Sequence, residues 1–115
     1  MKEQLFGVKY VPKPDGVEIE EFKYKHRKYK VEETITYKPW LVGRIIPGEG
    51  QIGVYKVSSK KGEHFVLIVD YIDQYGNRQF YIVYYSNDIK DIERHLLKDT
   101  QYGNVLLPFE AVSKR

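Results

Sequence analysis

Between Phe22 and Ile46 the chain interleaves flat rings with cations: Tyr24, Tyr29, Tyr37 and Trp40 run among Lys23, Lys25, Arg27, Lys28, Lys30, Lys38 and Arg44. A nucleic acid engages both types. Phosphates are neutralised by mobile cations set along a track, and bases or sugars offer faces on which aromatic rings stack. The same residues also suit an amphipathic hairpin, with Phe22 and some of the tyrosines inside and the lysine heads merely hydrated. Residue types alone leave both readings open. A second aromatic set, Tyr71, Tyr75, Phe80, Tyr81, Tyr84 and Tyr85, falls on both faces of a later strand pair. It reads as core and cross-strand contacts, with a stacking platform on one face as the functional alternative.

Other chemistries find less support. The segment GEGQIG, residues 48 to 53, has G-x-G-x-x-G spacing, but a dinucleotide fingerprint needs a strand-to-helix turn in a parallel sheet. A strand pattern follows here, so Gly48, Gly50 and Gly53 read as turn and bulge residues. His26, His64 and His95 are scattered over a turn, a strand start and a helix, and no metal site is expected from them. Asp70 and Asp73 would share a Mg²⁺ for phosphoryl chemistry only across a bulge, because their odd spacing sends them to opposite faces of a strand. They read as charged strand ends. Ser58, Ser59 and Ser86 sit in turns or caps without a histidine partner. With no cysteine there is no thiolate or disulfide chemistry, and a reducing compartment is expected. No cofactor is implied, and nothing demands an enzyme.

The elements that must position these side chains are mostly strands. Val17, Ile19 and Glu21 alternate with Glu18 and Glu20, after which Phe22 and Tyr24 alternate with Lys23 and Lys25. A reversal at His26 to Lys28 returns the chain with Tyr29, Val31, Glu33 and Ile35 on one face. Pro12, Pro14 and Gly16 separate this hairpin from a short strand in LFGVKYV. IIPGEGQIG is a breaker-rich connection. It leads into VYKVSS, HFVLIVDYID and RQFYIVYYS, three antiparallel strands joined by turns at KKGE and QYGN. HFVLIVDYI is apolar on both faces, as in a strand covered from two sides. SNDIKDIERHLLKDT switches to a helical period, with Ile89, Ile92, Leu96 and Leu97 on one stripe and Asn87 or Ser86 as the cap. Asp88 and Asp91 lie near its positive end and Lys98 near its negative end. NVLLPFEAV adds a short edge strand stopped by Pro108. The fold class is mainly β (α+β): a small SH3-like barrel or curved antiparallel sheet of about five strands, closed by one helix near residues 87–99.

Composition sets the frame. A chain of 115 residues fits one domain, spanning residues 1–115, with a core of its own. Its net charge of +3 is modest, but residues 1 to 61 hold 13 Lys+Arg against 8 Asp+Glu, a net of +5, while residues 62 to 115 hold 6 against 8, a net of −2. The basic side is therefore the N-terminal half. No apolar run is long enough to span a bilayer and the N-terminus lacks a signal-peptide core, so a soluble, cytoplasmic protein without a membrane partner is expected. Abundant Tyr, Lys, Glu and Ile with a single Met suit a thermophilic source.

The stretch FKYKHRKYKVEETITYKPWLVGRII resembles the opening hairpin of the small archaeal chromatin proteins with an SH3-like barrel. In that family a Phe-Lys-Tyr-Lys strand is followed at the same interval by Lys-x-Trp-x-Val-Gly-Lys/Arg-x-Ile, matched here by Lys38, Trp40, Val42, Gly43, Arg44 and Ile46. The resemblance implies a triple-stranded sheet laid across the minor groove of duplex DNA, with apolar side chains wedged into a base step. Trp40 would meet that step, Val42 and Ile45 would form the wedge, and Lys23, Tyr24, Lys25, Lys38 and Arg44 would contact backbone or groove. Arg27, Lys28 and Lys30 complete the basic hairpin. Ile45 stands where the family usually has methionine, and Pro39 precedes the tryptophan. A second resemblance, in layout, is to the Whirly-like single-strand-binding coactivators, over QIGVYKVSS to ERHLLKD. The reading is a non-enzymatic DNA-binding protein, duplex first and single strands second, with electrostatic and weakly sequence-selective binding. The alternative is a protein-interaction module, an SH3-like adaptor or virus-encoded inhibitor, anchored by exposed aromatics around Trp40.

Overall fold

The chain reverses after Tyr24 in two residues, Lys25 and His26, both in left-handed backbone at φ 51° and 63°. Paired positive φ angles define a turn whose twist matches that of the flanking strands. It joins β3 (Gly16–Tyr24) to β4 (Arg27–Trp40). The reversal thus falls earlier than the His26 to Lys28 expected, and Arg27 and Lys28 already belong to a strand. The computed structural model describes residues 3–14, 16–40 and 50–109.

Five further strands complete the sheet: β1 (Glu3–Gln4), β2 (Phe6–Lys13), β5 (Gly50–Ser59), β6 (Gly62–Ile72) and β7 (Arg78–Ser86). Every pairing is antiparallel, in the order β1-β7-β6-β5-β4-β3-β2. Seven strands replace the five or so expected. Because Leu5 alone separates β1 from β2, the two ends of this order are neighbours in the chain, and the sheet curls into a half-barrel. At the seam the Leu5 amide donates to the Phe80 carbonyl at 2.8 Å, and the rings of Tyr10 and Phe80 lie 5.2 Å apart.

Bulges decide which side chains enter. Lys9 is opposite Glu21 but Tyr10 is opposite Ile19, so Glu20 is an extra residue and the inward phase moves from Val17 and Ile19 to Phe22 and Tyr24. The change of alternation between Glu21 and Phe22 is this bulge. Gly7, at φ 60°, makes another in β2 between Phe6 and Lys9. Irregularities in β4 around Glu32 and Ile35 turn Ile35 away from the interior. The interior itself gathers Leu5, Ile19, Phe22, Tyr55, Val66 and Ile82. Gly50 and Gly53 belong to β5, opposite Trp40 and Tyr37 of β4, rather than to a turn or a bulge, while Gly48 lies outside the described residues. Gly53 is required by Tyr55, whose hydroxyl would stand 2.6 Å from a Cβ there.

The outer face of β5 to β7 is apolar as well, and two helices cover it. Ile92 and Leu96 of α1 (Ile89–Lys98) pack with Ile52, Val54, Leu67 and Val69. Asp88 caps the helix, accepting from the Lys90 amide, in place of the expected Asn87 or Ser86. Leu97 falls off the buried stripe and is 67% exposed. The first residues of the expected edge strand, Asn104 to Leu106, instead end a second helix, α2 (Thr100–Leu106), which buries Tyr102 and Leu106, and residues 110–112 of that expectation lie outside the described residues. Gly103 lets α2 lie against α1, since a Cβ would meet the Leu96 carbonyl oxygen at 2.2 Å. Among the described residues no helix is long and apolar enough to cross a membrane.

Candidate nucleic-acid interface

Residues directly opposite each other on neighbouring strands share a face of the sheet. Phe6 pairs with Lys23, Lys23 with Lys28, Lys9 with Glu21, and Glu21 with Lys30. The outer face of β2, β3 and β4 therefore carries four lysines around one carboxylate. Glu21 bridges Lys9 at 3.3 Å and Lys28 at 3.4 Å, which offsets the repulsion between Lys23 and Lys28. Partial burial works to raise the Glu21 pKa, but the two lysines hold it below the usual glutamate value. The stem of Lys23 crosses Gly7, with its Cγ and Cδ 3.8 Å from where a Cβ would stand. Phe6, 67% exposed, gives this face a flat apolar ring. At the adjoining end of the barrel lie the exposed Lys25 and His26, together with the exposed Lys60 and Lys61 of the turn between β5 and β6.

Tyr24 and Tyr29 have different surroundings. Both are buried in the barrel, 8% and 4% exposed, so neither offers a stacking face to a ligand. Their rings pack with Tyr85, at 5.8 Å and 6.0 Å, and Tyr29 also meets His64. Burial, with a hydrogen bond to Glu3, pushes the Tyr24 pKa up to about 12. This is the amphipathic hairpin, tyrosines in and lysines out. Lys25 Nζ lies 5.4 Å over the Tyr24 ring. Arg27, opposite Tyr24, is partly buried at the same barrel mouth.

The structure does not bring all the expected contacts together. Lys38 pairs with Ile52 and Trp40 with Gly50 near the far end of β4, and the backbone of Trp40 is about 30 Å along the strand from Lys30 at ~3.3 Å per residue. Val42, Arg44 and Ile45 lie outside the described residues. Lys23, Lys28 and Lys30 form one face, and Lys25 extends it at the tip. Phe6 and Lys9 joined this face unannounced. Their sequence signal is slight: a glycine between an outward Phe6 and an inward-packing Val8, where a plain strand would put both on the same side.

The opposite end of the barrel is polar but tied up internally. Gln51, 1% exposed, accepts from the Val17 amide at 2.9 Å and donates to the Val17 carbonyl at 3.0 Å and to the Tyr55 hydroxyl at 3.2 Å. Gly16 leaves the room for it. Asp70 faces inward and accepts from Arg78, whereas Asp73 holds the turn before β7 by accepting from the Tyr75 and Asn77 amides and from Gln79. Burial raises the Asp70 pKa to about 6, against the pull of Arg78. Among the described residues no group of three or more His, Cys, Asp or Glu is placed to hold a metal ion. The class defined by these features is a curled antiparallel half-barrel with helices on one face and lysines on another. The chain matches no protein-family model, no curated protein and no solved structure.

Proposed function

We propose that this protein binds nucleic acid through the outer face of β2, β3 and β4, without catalysing a reaction on it. The supporting observation is the gathering of Lys9, Lys23, Lys28 and Lys30 on three adjacent strands, with the exposed Phe6 ring beside Lys23. Lysine ammonium groups on flexible stems suit a phosphate track and read no base, so binding is electrostatic and weakly selective for sequence. Duplex DNA is the first partner proposed. Single strands are the second, favoured by Phe6, because an exposed ring can stack on an unpaired base.

Titration of labelled duplex and single-stranded oligonucleotides at several salt concentrations tests this. Four phosphate contacts give a log affinity against log salt slope of about −3.6 on duplex, and Lys23→Ala with Lys28→Ala reduces it to about −1.8. Phe6→Ala weakens single-strand binding more than duplex binding. A slope near zero, or a double variant that binds as the parent does, contradicts the proposal.

A further inference from the structure

The ladder between β3 and β4 is incomplete. It runs from Tyr24–Arg27 to Glu21–Lys30 and stops, so that Gly16 to Ile19 have ladder partners on β2 alone and the chain from Val31 on has partners on β5 alone. Two strands adjacent in the sheet thus diverge. Between them lies a groove of about 370 Å³ with Ile19 and Val31 in its lining, and a second of about 330 Å³ continues it past Glu18 and Thr34 to Tyr37 and Lys13. At one place the missing partner is replaced. The Gln51 side-chain amide makes both hydrogen bonds to the main chain of Val17 that a neighbouring strand would make. Beyond Val17 the ladder pairs neither edge with the other across the groove. Paired edges left apart in this way admit an extended segment whose main chain bonds to them.

The charge of the rim selects the segment. Glu18, Glu20, Glu32 and Glu33 line the groove from both strands. Glu18 is paired with Lys13 at 3.1 Å and Glu32 accepts from Ser58, while Glu20 and Glu33 form no ion pair with a described residue. The lysines of the outer face leave this groove acidic, apart from Lys30 at its closed end. We propose that the cleft between β3 and β4 binds an extended peptide strand of about five residues carrying lysine or arginine at alternate positions, a length of ~17 Å. Its main chain pairs with the strand edges, and its cations lie among the four glutamates. This site adjoins the lysine face, with Lys30 and Glu21 also in its lining, but does not rest on the nucleic-acid proposal.

The test uses the full chain and a fluorescently labelled peptide of alternating lysine and valine. Two controls accompany it: a peptide of the same charge with proline in place of valine, and one of alternating glutamate and valine. The lysine–valine peptide is expected to bind, and Glu20→Gln with Glu33→Gln to weaken it about tenfold. Lys23→Ala with Lys28→Ala leaves it unchanged. The proline peptide is expected to bind far more weakly, since every second residue then lacks a main-chain N–H and the ladder to one edge is lost. Equal binding of the proline peptide would mean charge attraction alone and would overturn the proposal, as would absence of binding or indifference to the glutamate changes.

Discussion

Asp70 is an acid that the barrel holds in the wrong medium. It follows His64, Val66 and Ile68 at every second position of β6 and faces the interior with them, where it is 1% exposed. Its direction was legible from that alternation, although the charge itself suggested a strand end. Arg78 bonds one oxygen, and the other, Oδ2, has no hydrogen-bond partner among the described residues. Burial therefore prevails over the guanidinium and lifts the pKa from 3.8 to about 6. A folded-state pKa above the unfolded one means that the native protein holds this proton more tightly. The stability it contributes is fully present below pH 3.8 and is lost as pH rises through about 6, a loss of about 3 kcal/mol at one pKa unit per 1.36 kcal/mol. Asp70→Asn removes that dependence. Urea unfolding of both proteins from pH 4 to 7 should show the parent losing stability relative to the variant, whereas parallel curves would refute the assignment. Phe6 is the contrasting case. Its exposure depends on a left-handed Gly7 and a bulge, which neither composition nor alternation displays.

Elements with a repeating period were the readable ones. HFVLIVDYI is covered on both faces as its composition implies, by the barrel interior on one side and by α1 and α2 on the other. The stripe of α1 was legible in Ile92 and Leu96 but misplaced at Leu97, because two adjacent residues lie about 100° apart on a helix and only one can face the sheet. Leu96→Ala should accordingly cost about 2–5 kcal/mol and Leu97→Ala less than about 0.5 kcal/mol, read from denaturant midpoints at constant m. Equal losses would contradict the packing described. The second helix was hidden for a local reason. The valines and phenylalanine of NVLLPFEAV favour a strand, but the residues that bury, Tyr102 and Leu106, stand four apart, and Gly103 allows contact with α1 that no propensity reveals. Breaks in period were informative too, since the shift between Glu21 and Phe22 marks a bulge that keeps both halves of β3 facing inward.

The whole molecule sorts its charges by curling. Once Leu5 joins the two ends of the strand order, the tyrosines of the basic hairpin have an interior to enter, and the lysines are left together outside. A flat sheet would have exposed both. The concentration of positive charge in the N-terminal half was legible, and so was the antiparallel meander. What sequence proximity misjudged was distance: Trp40 follows the lysines closely in the chain, but β4 runs on without a break and carries its backbone to the opposite end of the barrel. The proposed interface is therefore the lysine face and does not include the indole. Its most direct test is amide shift mapping of the isotope-labelled protein during titration with a short DNA duplex. The account predicts shifts centred on Phe6, Lys9, Lys23, Lys28 and Lys30 that fade as salt is added. Shifts confined to α1 and α2, or to the end of the barrel around Gln51 and Arg78, would contradict it.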